Sequence, residues 1–164
     1  MRLPFSIQVF LVSNNMNGRK YLLLQRNARP ELALPDFWQG ISGALEAGEP
    51  HEQAAIREIF EETGIVASAV MSSGYKQTYP IKPEWRAQYG LEPTVVQERV
   101  FYCDVSEHVN LRLSPEHKAY QWLPYENAKA LLTFGQNAAC LESVEFCIKN
   151  AIETASPAVN TGVK

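Results

Sequence analysis

Two segments at the start of the chain are rich in apolar residues and are separated by a turn sequence. Residues 4–13 (PFSIQVFLVS) and 19–26 (RKYLLLQR) flank NNMNG, whose Asn and Gly residues suit turn geometry. This arrangement predicts a β-hairpin. After a loop with two prolines, the segment FWQGISGALE is expected to form one or two short strands broken by Gly40 and Gly43.

Further along, the pattern predicts a helix, three more strands and two C-terminal helices. The first helix is expected from about Pro50 to Glu62, because proline suits the first turn and Gly64 suits the position after the end. The strands are expected at 65–77, 95–105 and 119–123, and the later helices after Pro124 and over 137–153. We find no internal repeat, and we expect one domain over 1–152 and a flexible tail over 153–164.

The segment 78–95 differs from the rest because it holds three prolines, Pro80, Pro83 and Pro93, among aromatic residues. It is expected to be a long loop. Loops of this length within compact domains are often functional.

Composition and charge limit the classes of partner. The chain has 164 residues, 46% hydrophobic and 20% charged, which suits one domain with a buried core. A net charge of -3 and a pI near 5.7 give no general attraction to DNA or to an anionic membrane. The N-terminal apolar run is also far shorter than the ~20 residues of a membrane span. A polyanionic ligand therefore needs a local binding site, because the overall charge of the chain does not attract it.

The three cysteines, Cys103, Cys140 and Cys147, have no CxxC spacing, and the chain does not start with a secretory signal. A disulfide framework is not expected. We expect a cytoplasmic protein in which the cysteines pack as small apolar groups.

The predicted helix ends with three glutamates, Glu58, Glu61 and Glu62. At 100° per residue they fall within about 100° of one another. Neighbouring like charges cost a few tenths of a kcal/mol per pair, and anions at a helix C-terminus oppose the macrodipole by roughly 0.3–1 kcal/mol each. A hard divalent cation such as Mg²⁺ would offset this cost. The alternative is a solvated acidic face on which Arg57 pairs with Glu61.

The sequence of this helix also indicates an apolar face and a face of small residues. Its apolar side, expected to pack on the core, comprises Ile56, Ile59, Phe60 and Thr63. Ala54 and Ala55 lie nearest the carboxylates on the preceding turn, where they are expected to leave room for an approaching group.

Residues around the glutamates follow the spacing G-x5-E-x7-R-E-U-x-E-E-x-G-U, where U is a bulky aliphatic residue. The matching positions are Gly43, Glu49, Arg57, Glu58, Ile59, Glu61, Glu62, Gly64 and Ile65. Across this segment the chain resembles the Nudix hydrolase family. The resemblance implies an α/β fold, an α/β/α sandwich with a mixed β-sheet. It also implies hydrolysis of a pyrophosphate bond in a nucleoside diphosphate linked to another group, with Mg²⁺ or Mn²⁺ as cofactor.

By matching position, the resemblance makes Glu58 and Glu62 the main metal ligands and Glu61 a further ligand or partner. The backbone carbonyl of Gly43 often joins the coordination in this family. Arg57 is expected to hold the glutamates in place by charge-assisted hydrogen bonds.

Glu49 opens the helix and is expected to be an orienting group or part of the metal network rather than the sole base. The general base varies within the family, so this assignment stays open.

Among Nudix proteins, the chain is similar to bacterial dihydroneopterin triphosphate pyrophosphatases. The similarity rests on LLLQR at 22–26, DFWQGISG at 36–43 and EHKAYQWL at 116–123. It implies that Glu116 is an additional metal ligand and that Arg26 and Ser42 line the substrate site. The alternatives are a loop charge at Glu116, a solvated Arg26 and a turn-capping Ser42.

Trp85, in the predicted loop, is the tryptophan expected to cover a flat pterin or purine ring, although tryptophans more often serve packing. Pro80 lies 15 residues beyond Ile65, a placement that resembles ADP-ribose pyrophosphatases. The PQGG stretch of dinucleoside polyphosphate hydrolases is absent. Small-molecule nucleotide or pterin triphosphates are the expected ligands, with ADP-ribose or dinucleoside polyphosphates as alternatives.

Two further alternatives are a nucleotide sensor without catalysis and a purely structural acidic domain. Sensors of this fold typically lose glutamates that are all present here. The sequence leaves open a monomer or a homodimer.

Overall fold

A computed structural model describes residues 1–161, with side chains through Ile152. The strands are β1 (Phe5–Asn15), β2 (Gly18–Arg26), β3 (Phe37–Gln39), β4 (Ile41–Ala44), β5 (Met71–Pro80), β6 (Val95–Asp104) and β7 (His117–Pro124). The helices are α1 (His51–Thr63), α2 (Arg86–Tyr89), α3 (Tyr125–Leu131) and α4 (Gly135–Thr161), and short 3-10 turns form at Pro30–Leu32 and Pro83–Trp85. In this part of the chain, no helix is long and apolar enough to cross a membrane.

All the strands belong to one mixed sheet built around β1. This strand runs parallel to β6 and antiparallel to β2. The β1–β2 hairpin splays beyond its turn, so that residues 12–15 of β1 pair with β2 whereas residues 6–9 pair with β4. Strand β3 pairs with the far end of β2. The splayed hairpin thereby places Ser42 and Gly43 within the sheet.

Alternate residues of the strands supply two hydrophobic cores, one on each face of the sheet. Ile7, Val9 and Leu11 of β1 pack with α1 on one face. Phe10 and Val12 pack with α3 and α4 on the other. The predicted α/β/α sandwich with a mixed sheet is therefore confirmed. Cys103 and Cys140 are buried in these cores, and Cys147 packs against the second, as expected.

Helix α1 has the predicted ends: Pro50 precedes it, and Gly64 closes it in a left-handed conformation at φ 79°. Its predicted orientation is wrong in part. Phe60 is 49% exposed, whereas Glu62 is 3% exposed. The reason is that Ala55 packs into the core, so that Glu62, two turns later on the same face, points inward.

The two alanines predicted to leave room for a ligand do not do so. Ala54 and Ala55 are fully buried among the core residues of the α1 face. Small side chains here let the helix approach the sheet closely.

The predicted long loop over 78–95 is wrong in part. Strand β5 begins later than expected, at Met71, but continues to Pro80, and a 3-10 turn and α2 follow. Ile81, Tyr89 and Val96 form a small core of their own. Tertiary packing therefore gives the proline-rich segment a defined shape.

Helix α4 runs to Thr161, beyond the predicted end at residue 153. Residues 162–164 of the predicted tail lie outside the described part of the chain. The flexibility of the tail stays a prediction.

Candidate active site

Arg57 is the centre of a network of carboxylates on α1. Its Nε and Nη2 donate to the two oxygens of Glu49 at 2.8 and 2.9 Å. Its Nη1 donates to Glu58 Oε1 at 2.9 Å and to Glu61 Oε1 at 3.1 Å, and Nη2 also reaches the carbonyl of Ala44 at 2.9 Å. This fork geometry, which lysine cannot reproduce, holds α1, its preceding loop and β4 together.

Glu49 has no free carboxylate oxygen in this network. One oxygen accepts a hydrogen bond from the backbone N–H of Glu46 at 2.9 Å, and both accept from Arg57. The hydrogen bonds from Arg57 lower the pKa of Glu49. The geometry therefore favours an orienting role for Glu49.

Glu58 lies directly over Gly43 of β4. A Cβ atom at residue 43 would overlap the carboxyl group of Glu58, which is sterically forbidden. The absence of a side chain at residue 43 thus allows the carboxylate of the helix to approach the strand backbone.

Glu62 is held from the opposite side by His117 of β7. The Nε2 atom of His117 lies 2.5 Å from Glu62 Oε1, and both residues are buried. The loop before β7 is anchored to the end of α1, since the Ser114 N–H donates to the Glu62 carbonyl and the Arg112 N–H to the Thr63 carbonyl.

Burial shifts the ionisation of this cluster. Burial and the neighbouring Glu62 carboxyl raise the pKa of Glu58 to about 8. Burial raises the pKa of Glu62 to about 7. Burial also lowers the pKa of His117 to about 4, so that its imidazole is neutral at pH 7. The cluster therefore holds protons that a bound cation would displace.

Arg26 connects the glutamates with β2. It lies opposite His117 in the β2–β7 pairing, and its Nη2 is 3.4 Å from Glu116 Oε2. The Glu116 side chain is 55% exposed. The charges of both Arg26 and Glu116 act on Glu62, which places them at the same end of the site.

The described residues contain no group of three His, Cys, Asp or Glu side chains that already converges on a metal position. Arg57 binds Glu58 and Glu61, while His117 binds Glu62. The donor set nevertheless fits a hard cation, because buried carboxylates with raised pKa values lie beside a strand that leaves room at Gly43.

The three residues predicted to bind substrate line one pocket. Arg26, Ser42 and Trp85 face an open pocket of about 810 Å³, a volume that includes its mouth. Trp85 is fixed by a hydrogen bond from its indole N–H to the Leu32 carbonyl at 3.0 Å and by an edge contact with Tyr79. The 78–95 segment thus forms one wall of the pocket.

A comparison with known families addresses the family assignment directly. A family profile described as NUDIX domain matches residues 4–142. The chain belongs to the Nudix family. The prediction of a Nudix hydrolase from residues 43–65 is therefore confirmed.

Relatives of this Nudix chain include the dihydroneopterin triphosphate diphosphatase of Escherichia coli K12. It is 30% identical over 142 residues, which cover 85% of this chain and 90% of that protein. The structure of the E. coli dihydroneopterin triphosphate pyrophosphohydrolase matches with a TM-score of 0.73 at 28% identity, covering 90% of this chain and 97% of that chain. The predicted similarity to these proteins is confirmed.

An octanoyltransferase of Myxococcus xanthus is 33% identical over 129 residues, which cover 79% of this chain and 33% of that protein. The Nudix chain thus spans about a third of the length of this relative.

Several residues at the Nudix site were not identified from the sequence. They are His117, beside Glu62, and the pocket residues Gln39, Tyr79, Tyr89, Glu98, Phe134 and Asn137. A signal existed for Glu98, because it shares the inward face of β6 with Val96 and Val100. A charged residue at a buried strand position is rare and indicates a special role.

Proposed function

We propose that this chain is a metal-dependent pyrophosphohydrolase that cleaves a phosphoric anhydride bond of dihydroneopterin triphosphate or of a nucleoside triphosphate. The observation that carries the proposal is the position of Arg26, which lines the pocket and pairs with Glu116 beside the buried Glu62. A substrate can therefore place its ring in the pocket while its phosphates reach the glutamates.

Glu58, Glu61, Glu62 and Glu116, with the Gly43 carbonyl, would hold Mg²⁺ or Mn²⁺. When bound, such a cation offsets the charge of the phosphates and lowers the pKa of an attacking water. An acidic protein can bind a polyanion in this way, because the positive charge is local.

One cation of the chain supports phosphate binding next to the glutamates. Arg26 lines the pocket and pairs with Glu116, whereas Arg2 and Arg29 line the same pocket and contact Tyr89 and Glu31. Arg57 keeps Glu58 and Glu61 in place, and Glu49 in turn fixes Arg57. Arg26 is thus placed to bind the substrate phosphates, and Arg57 to orient the glutamates.

The choice of a pterin or nucleoside triphosphate is supported by the E. coli relatives and by the aromatic walls of the pocket. Flat aromatic side chains can stack on a flat heterocycle. ADP-ribose and dinucleoside polyphosphates are the competing substrates.

The test is product identification by mass spectrometry after incubation with Mg²⁺. The panel comprises dihydroneopterin triphosphate, canonical nucleoside triphosphates, ADP-ribose and diadenosine polyphosphates, and the Glu62→Gln variant serves as control. Pyrophosphate release from the pterin or a nucleoside triphosphate, lost in the variant, is the expected result. Preference for ADP-ribose or a diadenosine compound would overturn the proposed substrate class. Tight binding without cleavage would indicate a nucleotide sensor.

A further inference from the structure

Glu98 is a buried carboxylate that faces the pocket but lies outside the glutamate cluster of α1. It is 4% exposed and sits on β6. Among residues 1–152, its hydrogen-bond partners are all neutral groups. Burial raises the pKa of Glu98, so that additional donors would stabilise its ionised form.

The two oxygens of Glu98 are used unequally. Oε1 accepts from the Gln77 amide at 2.8 Å, the Gln8 amide at 3.3 Å and the Cys140 thiol at 3.8 Å. Oε2 accepts from the Ser6 hydroxyl at 3.3 Å, its one partner among the described side chains. Since each carboxylate oxygen has two lone pairs, Oε2 can accept another hydrogen bond.

Asn137 of α4 presents a donor beside this acceptor. The backbone N–H of Gly40 donates to Gln8 Oε1 at 3.1 Å, which fixes the orientation of the Gln8 amide. Gln8 Nε2 then donates both to Glu98 and, at 3.1 Å, to Asn137 Oδ1. The Nδ2 group of Asn137, which is 6% exposed, has no partner among the described residues and is available to the pocket.

Flat side chains form the walls around these polar groups. The rings of Phe37 and Phe134 lie 5.1 Å apart, and those of Tyr79 and Trp85 lie 6.1 Å apart. All four residues line the pocket. The pocket therefore has aromatic walls, a hydrogen-bond acceptor in Glu98 and a donor in Asn137. Gln8 binds both of these residues.

We infer that Glu98 and Asn137 recognise a 2-amino-4-oxopyrimidine ring, the ring that pterins share with guanine. Glu98 Oε2 accepts from the amino edge, and Asn137 Nδ2 donates to the oxo group. The inference rests on the proposed function and narrows its substrate class. Adenine offers neither group at these positions, and a ring that leaves buried polar groups unpaired is disfavoured.

A purely structural role for Glu98 is the competing explanation. The carboxylate links Ser6 of β1, Gln77 of β5 and Cys140 of α4. Its removal would then loosen the sheet and weaken the binding of every substrate alike. If Glu98 instead recognises the ring, its removal should weaken the binding of substrates unequally, according to the substituents that each ring carries.

The test compares dGTP with dITP, which differ only in the amino group. The wild-type chain is expected to favour dGTP in kcat/KM by about 10-fold or more, since a hydrogen bond to a charged group has this strength. In Glu98→Gln the preference is expected to vanish, because a side-chain amide replaces one acceptor oxygen by a donor. An equal loss for both nucleotides would overturn the inference.

Asn137→Ala gives a different expected pattern. Both dGTP and dITP keep the oxo group, so both should fall by about 5- to 10-fold relative to dATP, whereas their ratio to each other stays as in the wild type. Glu145→Gln is the matched control. Glu145 is a buried glutamate that binds Arg19 and Tyr21 rather than the pocket, so its loss should not change the dGTP/dITP ratio.

The inference and the proposed function can fail separately. Turnover of both nucleotides by the wild type at equal kcat/KM would overturn the inference even if Glu98→Gln does not fold, and it would leave the pyrophosphohydrolase intact. If the wild type cleaves no triphosphate, the proposed function fails. In that case, the dissociation constants of dGTP and dITP are measured by calorimetry with Mg²⁺. Tighter binding of dGTP than of dITP supports the inference, and equal binding overturns it.

Discussion

The carboxylate of Glu58 occupies the space that a side chain at Gly43 would need, with both oxygens within 2.6 Å of the position of a Cβ atom. Helix α1 and strand β4 are thus brought together at a point where the proposed metal site requires a carboxylate and a backbone carbonyl. Glycine at residue 43 is a steric requirement of the position of Glu58.

Gly43→Ala is expected to displace Glu58 and to lower kcat by about 10- to 100-fold, the usual effect of disturbing the support of a metal ligand. The melting temperature should change little, because the clash involves the flexible end of a glutamate. Steady-state kinetics and thermal unfolding measure the two effects. Gly135→Ala, where a Cβ meets nothing within 4 Å, is the control and should keep the wild-type kcat. Full activity of Gly43→Ala would contradict the assignment.

The pH dependence of stability follows from the raised pKa values of Glu58 and Glu62. A carboxyl whose folded pKa lies above its unfolded value of 4.5 stabilises the fold when protonated, and this contribution is lost as pH rises through the folded pKa. The metal-free protein should therefore lose melting temperature between pH 5 and about 8, the pKa of Glu58. Mg²⁺ should raise the melting temperature more at pH 8 than at pH 5.

Glu62→Gln is the control for this pH series. It removes one of the two titrating groups, so both the pH slope and the Mg²⁺ effect should become smaller. A melting temperature of the metal-free wild type that is the same at pH 5 and pH 8 would show that the carboxylates are not buried as a pair.

Arg57→Lys tests whether the network needs a guanidinium or only a positive charge. Lysine cannot bind both oxygens of Glu49 while also reaching Glu58, as Arg57 does. We expect kcat to fall by about 10- to 100-fold with a smaller change in KM. Arg112→Lys is the matched control, since Arg112 binds the Thr63 carbonyl through its backbone N–H, and its side chain lies beside Gly64 and pairs with no carboxylate among residues 1–152. Wild-type kinetics for Arg57→Lys would show that the network needs only a positive charge at residue 57.

The sequence predicts the features of this site that are local along the chain. Pro50 and Gly64 mark the ends of α1, and the glutamates between them follow a spacing that needs no tertiary information. The partner of Glu62 could not be predicted in this way. His117 lies 55 positions away and reaches Glu62 only because β7 pairs with β2.

The polar groups of the pocket are non-local for the same reason. Gln8, Glu98 and Asn137 come from β1, β6 and α4, and only the folded chain brings the three side chains into contact. The segment 78–95 also depends on tertiary contacts, because its prolines indicate a loop whereas the packing of Ile81 against Tyr89 shapes it. Local pattern thus predicts helix α1 and its glutamates better than it predicts the lining of the pocket.

The pair of His117 and Glu62 leads to a prediction about stability. His117→Phe keeps an aromatic ring but leaves the Glu62 carboxyl without its nearest partner in a buried position. The free energy of unfolding at pH 7 should fall by about 1–3 kcal/mol, the cost of an unsatisfied buried polar group. Urea denaturation of the metal-free protein measures this change. The exposed His108→Phe is the control and should stay within about 0.5 kcal/mol of the wild type. If both variants unfold like the wild type, the contact between His117 and Glu62 contributes nothing to folding, and burial alone explains the raised pKa of Glu62.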